Sequence, residues 1–195
     1  MGKSCLSTQA TKHKFENEHL ATIGFEYFTF NIKIKNTVIK LQIWDTCGQE
    51  FYKSLVSSFY RNTSLAIIVY AIDDQKSFDD LDLWIKDLKM NSSPDIKIFL
   101  IGNKSDLTDE RVIPKEMAQK VKEEYDLDFF IETSAKNGIN TKELFVKAAK
   151  VLYDDYNEYN KKEKKKEKDK DKDKSENIDS KSLAETIKKK KNKCC

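Results

Sequence analysis

The stretch Leu65-Ala-Ile-Ile-Val-Tyr-Ala-Ile72 has no polar face. A strand with one side in water alternates polar and apolar residues, so a run like this suits a parallel strand covered on both sides. At eight residues it is the longest uninterrupted apolar run in the chain and far short of a membrane span. A strand covered on both sides needs helices above and below it. The expected fold is therefore α/β, with strands and helices alternating around a doubly wound, mostly parallel sheet with right-handed crossovers.

The rest of the chain supplies the alternation. Residues 5–14 read as a weak first helix, with Leu6 and Ala10 on one face. Phe28, Phe30, Ile32 and Ile34 alternate with Thr29, Asn31, Lys33 and Lys35, the pattern of a half-buried strand. Asn36-Thr37 supplies a turn, and Val38 to Trp44 returns as an antiparallel partner, with Leu41, Ile43 and Trp44 read as its buried end. Ser77 looks like an N-cap with Asp80 three residues on, ahead of Phe78, Leu81, Trp84, Ile85 and Leu88 at helical spacing. Ile96–Ile101 is a further strand, and Pro114 opens a helix with Met117, Ala118, Val121 and Tyr125 facing inward. Phe129–Ile131 is a last short strand, and Thr141 caps a helix carrying Leu144, Phe145, Ala148 and Leu152. The Trp, Phe and Met residues of these elements read as core.

Polar clusters follow the strand ends. Asp45, Asn103 and Thr133 each stand at the carboxyl end of an expected strand, the edge where open α/β sheets bind ligands. An acid closing an apolar strand suits a magnesium-bound phosphate. Gly48 would let the backbone approach a terminal phosphate, and Gln49, four residues past Asp45, could orient an attacking water. On these residues alone a polar loop after a strand remains the alternative. Gly2-Lys3-Ser4 is the second half of G-x-x-x-x-G-K-[ST], a loop whose N–H groups wrap phosphates, whose lysine bridges them and whose hydroxyl ligates magnesium. The first glycine and the strand before it are absent. Gly2 could also be read as a myristoylation start, but Leu6 stands where that signal wants Ser or Thr.

At this point the residues resemble the Ras superfamily of small GTPases, most closely its Rab branch, over residues 2–153 and the last two cysteines. Gly2-Lys3-Ser4 is similar to the tail of the P-loop and Thr22 to the first-switch threonine. Trp44-Asp-Thr-Cys-Gly-Gln-Glu50 resembles the second switch, Asn103-Lys104-Ser105-Asp106 the guanine-reading N-K-x-D, and Thr133-Ser134-Ala135-Lys136 the second base loop. The resemblance implies a P-loop NTPase fold of Ras type, with one antiparallel edge hairpin and the first central strand missing. It implies a GTP-binding and GTP-hydrolysing switch in vesicle and membrane traffic, with Mg2+ and GTP or GDP bound.

The implied nucleotide contacts are Gly2, Lys3, Ser4, Cys5, Phe15, Thr22, Asp45, Gly48, Asn103, Lys104, Asp106, Ser134, Ala135 and Lys136. Lys3 would bridge the β- and γ-phosphates, and Ser4, Thr22 and Asp45 would hold the metal, Asp45 through a water. Gly48 would sense the γ-phosphate, and Gln49 would act in catalysis by orienting water. Phe15, eleven residues after Ser4, would lie against the base. Asp106 would accept two hydrogen bonds from the guanine edge, which adenine cannot supply. Asn103 and Lys104 would brace the loop, and the Ala135 N–H would meet the base oxygen. Neither Arg61 nor Arg111 has an evident claim to act as an arginine finger. Slow intrinsic hydrolysis is therefore expected, accelerated by an activating protein, with an exchange factor and effectors as further partners.

The tail differs from the body. Residues 161–195 hold fifteen lysines against eight acids, +7 in a chain of +3, which leaves the body at −4. Alternating Lys with Glu and Asp over 161–174 suits a disordered linker with transient helix at most, and residues 180–187 could hold one amphipathic turn. The expected domains are 1–159 and a charged tail 160–195. Lysines 188–191 and Lys193 precede Cys194-Cys195, which resembles a Rab double-prenylation site. Two lipid chains with basic residues hold a membrane stably. The expectation is a monomer on the cytoplasmic face of intracellular membranes, extractable by a prenyl-binding chaperone. Nucleic acid is not an expected partner, because the lysine run has no interleaved aromatics or arginines. No signal-peptide pattern opens the chain, and two terminal cysteines among four make no disulfide framework.

Cys47 and Phe51 depart from the family's usual alanine and arginine; Cys47 reads either as a redox-sensitive thiol or as a small buried filler. The incomplete start leaves three readings. The reading frame begins inside a longer gene, or the chain is a shortened pseudo-GTPase scaffold without nucleotide cycling, or it is a basic-tailed membrane adaptor.

Overall fold

The alternation at Phe28–Ile34 becomes one arm of an antiparallel hairpin, β1 (Phe25–Ile34) with β2 (Thr37–Thr46), in register from Phe25↔Thr46 to Ile34↔Thr37. The computed structural model describes residues 1–15, 22, 24–47 and 59–163. Ahead of the hairpin lies α1 (Lys3–Lys12), which begins two residues earlier than the apolar pattern indicates. After it come β3 (Leu65–Ala71), α2 (Gln75–Asp79), α3 (Leu81–Asn91), β4 (Lys97–Asn103), α4 (Lys115–Glu124) and β5 (Phe129–Glu132). Strands β3, β4 and β5 form a parallel sheet in that order. Helical residues 141–152 (α5) close a first compact unit, Met1–Leu152. The second unit begins at Tyr153 and is helical over 153–163, so residues 161–163 are helical where a linker is expected. Lysine and glutamate are good helix formers, and extending a helix is far easier than nucleating one. The tail from 164, with the expected linker, basic cluster and Cys194-Cys195, lies outside the described residues.

Two cores lie on opposite faces of the parallel sheet. Val69, Phe99 and Ile101 pack with Leu6 and Ala10 of α1 and with Leu144, Phe145 and Ala148 of α5. Tyr70, Ile98 and Leu100 pack with Phe78, Leu81, Ile85 and Ala118 of α2, α3 and α4. Neighbouring strand residues point to different cores, which is why these strands carry no polar face. β4, in the middle, is buried from Ile98 onward. β3 is not: Leu65–Ile68 stay partly exposed, although their sequence is as apolar.

Several expectations are corrected. Ser77 is not the N-cap. Asp74 is, its carboxylate accepting from Ser77 N at 3.2 Å, while the Ser77 hydroxyl turns inward and donates to Asp74 O at 2.8 Å. Asp80 then caps α3 in position only, without a side-chain bond. Thr141 is the first helical residue, and its hydroxyl donates to Gly138 O instead of capping. Met117 is exposed, because Ala118 takes the inward position on α4. Trp44 is exposed as well, on the outer face of the hairpin, where its ring meets Phe25, Tyr27 and Phe59 at 5.0–5.5 Å between centroids. No helix among the described residues is long and apolar enough to cross a membrane.

Candidate functional site

The N-terminus of α1 is placed by a glycine. Gly2 has φ +83°, and a Cβ there would stand 2.7 Å from Asn103 Nδ2. Only a residue without a side chain lets Asn103 donate to Met1 O at 2.9 Å and tie the start of α1 to the end of β4. The helix has no side-chain cap and no acid in its first turn. Its first turn therefore leaves N–H donors and the positive end of the helix dipole at the carboxyl edge of the sheet, a favourable place for an anion.

Lys3 sits in that turn. Burial pulls its ammonium below the ordinary lysine value, against the opposing pull of Asp45 and then Cys47. A partly buried cation of this kind is short of negative charge. Beside it three oxygens converge. The Ser4 hydroxyl donates to the Asp45 carboxylate and lies 2.8 Å from Thr22 Oγ1. With the Ser4 proton committed to Asp45, Thr22 is the donor in that pair. Asp45, the penultimate residue of β2, is buried. One carboxylate and two hydroxyls are hard oxygen donors, the set that suits Mg2+ when phosphate completes the shell. No cluster of three or more His, Cys, Asp or Glu exists among the described residues to hold a softer metal. The residues present fit magnesium.

The other half of the site is a mesh at the ends of β4 and β5. Asn103 ends β4 and is buried. Its Oδ1 accepts from Thr133 Oγ1 and from Ala135 N, both at 3.2 Å. The Ala135 N–H, expected to meet a base oxygen, is thus engaged by Asn103, at the long end of hydrogen-bond range. Ser105 N donates to Thr133 O at 2.9 Å, and Ser134 Oγ donates to Asp106 Oδ1 at 2.5 Å. A carboxylate accepts at about four lone-pair positions, so one bond leaves Asp106 capacity for a ligand. Lys104, at φ 65°, pairs with Asp73 at 2.8 Å. Lys136 and Phe15 are exposed, Cys47 is buried and Cys5 is partly buried. Gly48 and Gln49 lie outside the described residues.

Two partners of this mesh have no local signal in the sequence. Asp73, which holds Lys104, lies 31 residues away from it. Glu132 takes both guanidinium nitrogens of Arg111, at 2.7 and 2.9 Å, and the Arg111 Nη1 also donates to Ile113 O at 3.1 Å. The hydrogen bond to Glu132 raises the Arg111 pKa further. This pair props the strand end from which Thr133 and Ser134 project. Arg111 is therefore committed within the fold.

A helix N-terminus with a partly buried lysine, an oxygen-donor trio and a polar mesh all lie on the carboxyl edge of an α/β sheet, an arrangement that fits a P-loop GTPase-like fold. A sequence model of the Ras family matches residues 1–154. The chain belongs to the Ras family and is a small GTPase of that superfamily.

Proposed function

We propose that this chain is a GTP-binding and GTP-hydrolysing switch of Rab type that regulates vesicle and membrane traffic. The observation that carries the reading is the convergence of Lys3, Ser4, Thr22 and Asp45 on one side of the sheet edge with Asn103, Asp106 and Ser134 on the other. Phosphates and Mg2+ fit the first group, and a guanine edge fits the second. Bound Mg2+ supplies charge neutralisation of the β- and γ-phosphates. Lys3 balances phosphate charge, which relieves its own burial. Ser4, Thr22 and Asp45 hold the metal, and Asp106 reads the two donors of guanine through its carboxylate. Gln49 orients the hydrolytic water, by resemblance. Loops around Thr22 and Gln49 are ordered by the γ-phosphate for effectors and released on hydrolysis, with exchange and activating proteins setting the cycle. The sequence similarity of the second-switch motif and of the Cys194-Cys195 ending supports the Rab branch, a prenylated membrane-anchored pool and a chaperone-bound cytosolic one.

The test is competition binding on the full chain with Mg2+, using GTP, ITP and ATP. A site built to pair with substrate donors rejects an analogue lacking them by about 10⁴-fold or more. GTP is expected to outcompete ATP on that order, with ITP, which keeps one of the two donors, between them. Equal binding of all three would contradict the reading. No binding of any would favour the scaffold reading.

A further inference from the structure

Lys104 has a fixed main chain and a side chain that needs a separate anchor. Its backbone is left-handed, with φ 65°, a conformation that strains any residue carrying a side chain. Hydrogen bonds on either side hold it there. Ile72 N donates to Asn103 O at 3.1 Å, Ser105 N to Thr133 O at 2.9 Å and Leu107 N to Lys104 O at 2.9 Å. None of these places the side chain, a point charge on a flexible stem. Asp73 does, its Oδ2 accepting from Lys104 Nζ at 2.8 Å. Asp73 itself stands on a rigid base. On one side of it Ile72 O accepts from Val112 N at 2.9 Å and Ile113 N at 3.0 Å. On the other, Asp74 N donates to Ala71 O at 3.1 Å, and Asp74 caps α2.

An exposed ion pair contributes little, because water and salt screen it. This pair is better shielded. The Asp73 side chain is only 16% exposed, and its Oδ1 is buried with no hydrogen-bond partner among the described residues. A carboxylate accepts at about four positions, so an oxygen buried without a donor is costly and calls for a reason. We propose that Asp73 is a positioning residue for the bound nucleotide. It holds Lys104 in place before the ligand arrives and thereby sets how long a guanine nucleotide stays. A lysine ordered in advance loses no side-chain freedom at binding. Asp106, two residues past Lys104, must also keep acceptor positions open for the ligand. Without Asp73, the Lys104 ammonium would be a free cation competing for them.

The proposal rests on the reading of the chain as a guanine-nucleotide switch. A plainer role for the pair is to staple the end of β3 to the end of β4. That join already exists, through the ladder up to Ala71↔Asn103 and the bond from Ile72 N to Asn103 O. The two roles differ in what they predict. Asp73 acting through Lys104 alters the release of GDP and GTP alike, leaves the base preference to Asp106, and does nothing once Lys104 is gone. A staple acts whether or not position 104 carries a charge.

The test is nucleotide release from the full chain with Mg2+. Fluorescent GDP or GTP analogues are chased with excess unlabelled nucleotide. The wild type is compared with Asp73→Asn, Asp73→Ser, Lys104→Met and the double variant Asp73→Asn with Lys104→Met. Asparagine keeps the shape of Asp73 without its charge, and serine gives a second variant should the first fold poorly. Each Asp73 variant should speed release about fivefold for both nucleotides, the order set by one partly shielded ion pair. In the Lys104→Met background, Asp73→Asn should change release by less than about twofold. The preference for GTP over ATP should stay within about twofold of wild type, because Asp106 is untouched. Raising salt from about 0.1 to 1 M should speed release more in the wild type than in Asp73→Asn. Unchanged release in both Asp73 variants overturns the proposal. So does an undiminished effect of Asp73→Asn beside Lys104→Met, which would make Asp73 a staple. A wild type that binds neither nucleotide would overturn the guanine-nucleotide reading itself, and the role of Asp73 with it.

Discussion

The two halves of the site are built differently. On the β4–β5 side, Asn103, Thr133 and Ser134 are buried, and nearly every polar group there has a partner within the fold. On the β2–α1 side, a partly buried cation has lost water without gaining a full counter-charge, and three oxygens crowd together where a metal would separate them. The first half is finished before ligand arrives. Under the proposed function, the second would be finished by the ligand. A base-reading surface can be preset because its specificity lies in fixed donors and acceptors. A phosphate site that must respond to one phosphate more or less cannot be self-satisfied, or nothing would change on hydrolysis.

Asp106→Ala removes the acceptor on which the finished half depends. The discrimination of GTP from ATP should fall by about 10³-fold or more, measured by competition. Unchanged discrimination would break the contrast at its strongest point. Gln49→Leu should lower activator-stimulated turnover by about 10²-fold or more with GTP affinity nearly unchanged, followed as phosphate release.

Arg111→Met leaves the mostly buried Glu132 carboxylate unpaired. The pair is partly exposed, so the loss in unfolding free energy is expected near 2 kcal/mol, read by urea denaturation. GTP affinity should drop along with it, because Thr133 and Ser134 hang from that strand end. Gly2→Ala combines a left-handed backbone with a Cβ 2.7 Å from Asn103 Nδ2. It should weaken GTP binding about tenfold, on the order of 1–2 kcal/mol of strain, and lower stability less than Arg111→Met does.

The smallest effect is in pH. Burial lowers the Lys3 pKa, so the free folded chain holds that proton less tightly than the unfolded chain. Charged Lys3 therefore costs stability at neutral pH, and the cost fades as pH rises through the lowered folded value. Phosphate favours the charged form. GTP affinity should be level near pH 7 and decline as pH rises through that folded value, losing at most tenfold per unit. Isothermal titration across pH 7 to 10 reads this directly, and a rising affinity would contradict the role given to Lys3.

Periodic features and contiguous motifs were legible in the sequence. The apolar run at Leu65–Ile72, the alternation in β1 and the cluster Asn103–Asp106 each carry their information within a few residues; the first two form the strands their patterns indicate, although the first half of β3 stays partly exposed, and the third stands at the end of β4. What escaped depends on distant partners or on local competition. Arg111 and Glu132 lie 21 residues apart with no shared period. Asp74 and Ser77 are both good N-caps, and the choice falls to Asp74 because the Ser77 hydroxyl is buried against the end of β3, where Ala71 N donates to it at 2.9 Å. Trp44 and Met117 carry apolar side chains, but apolar residues are common on folded surfaces. The partial exposure of β3 has no signal in its own apolar residues; it goes with an edge that pairs with no strand among the described residues, as the resemblance, with its first central strand missing, implies.

The contrast between the halves is tested most directly by amide hydrogen exchange of the full chain, with and without GTP and Mg2+. Residues 103–106 and 133–135 should exchange slowly in both states and change by less than about twofold. The first turn of α1 and the amides near Thr22 and Asp45 should slow by tenfold or more only when nucleotide and metal are present. If the base loops gained the protection while α1 stayed as it was, the assignment of a preset half and a ligand-completed half would be reversed. If neither half responded, the chain would not be a nucleotide switch.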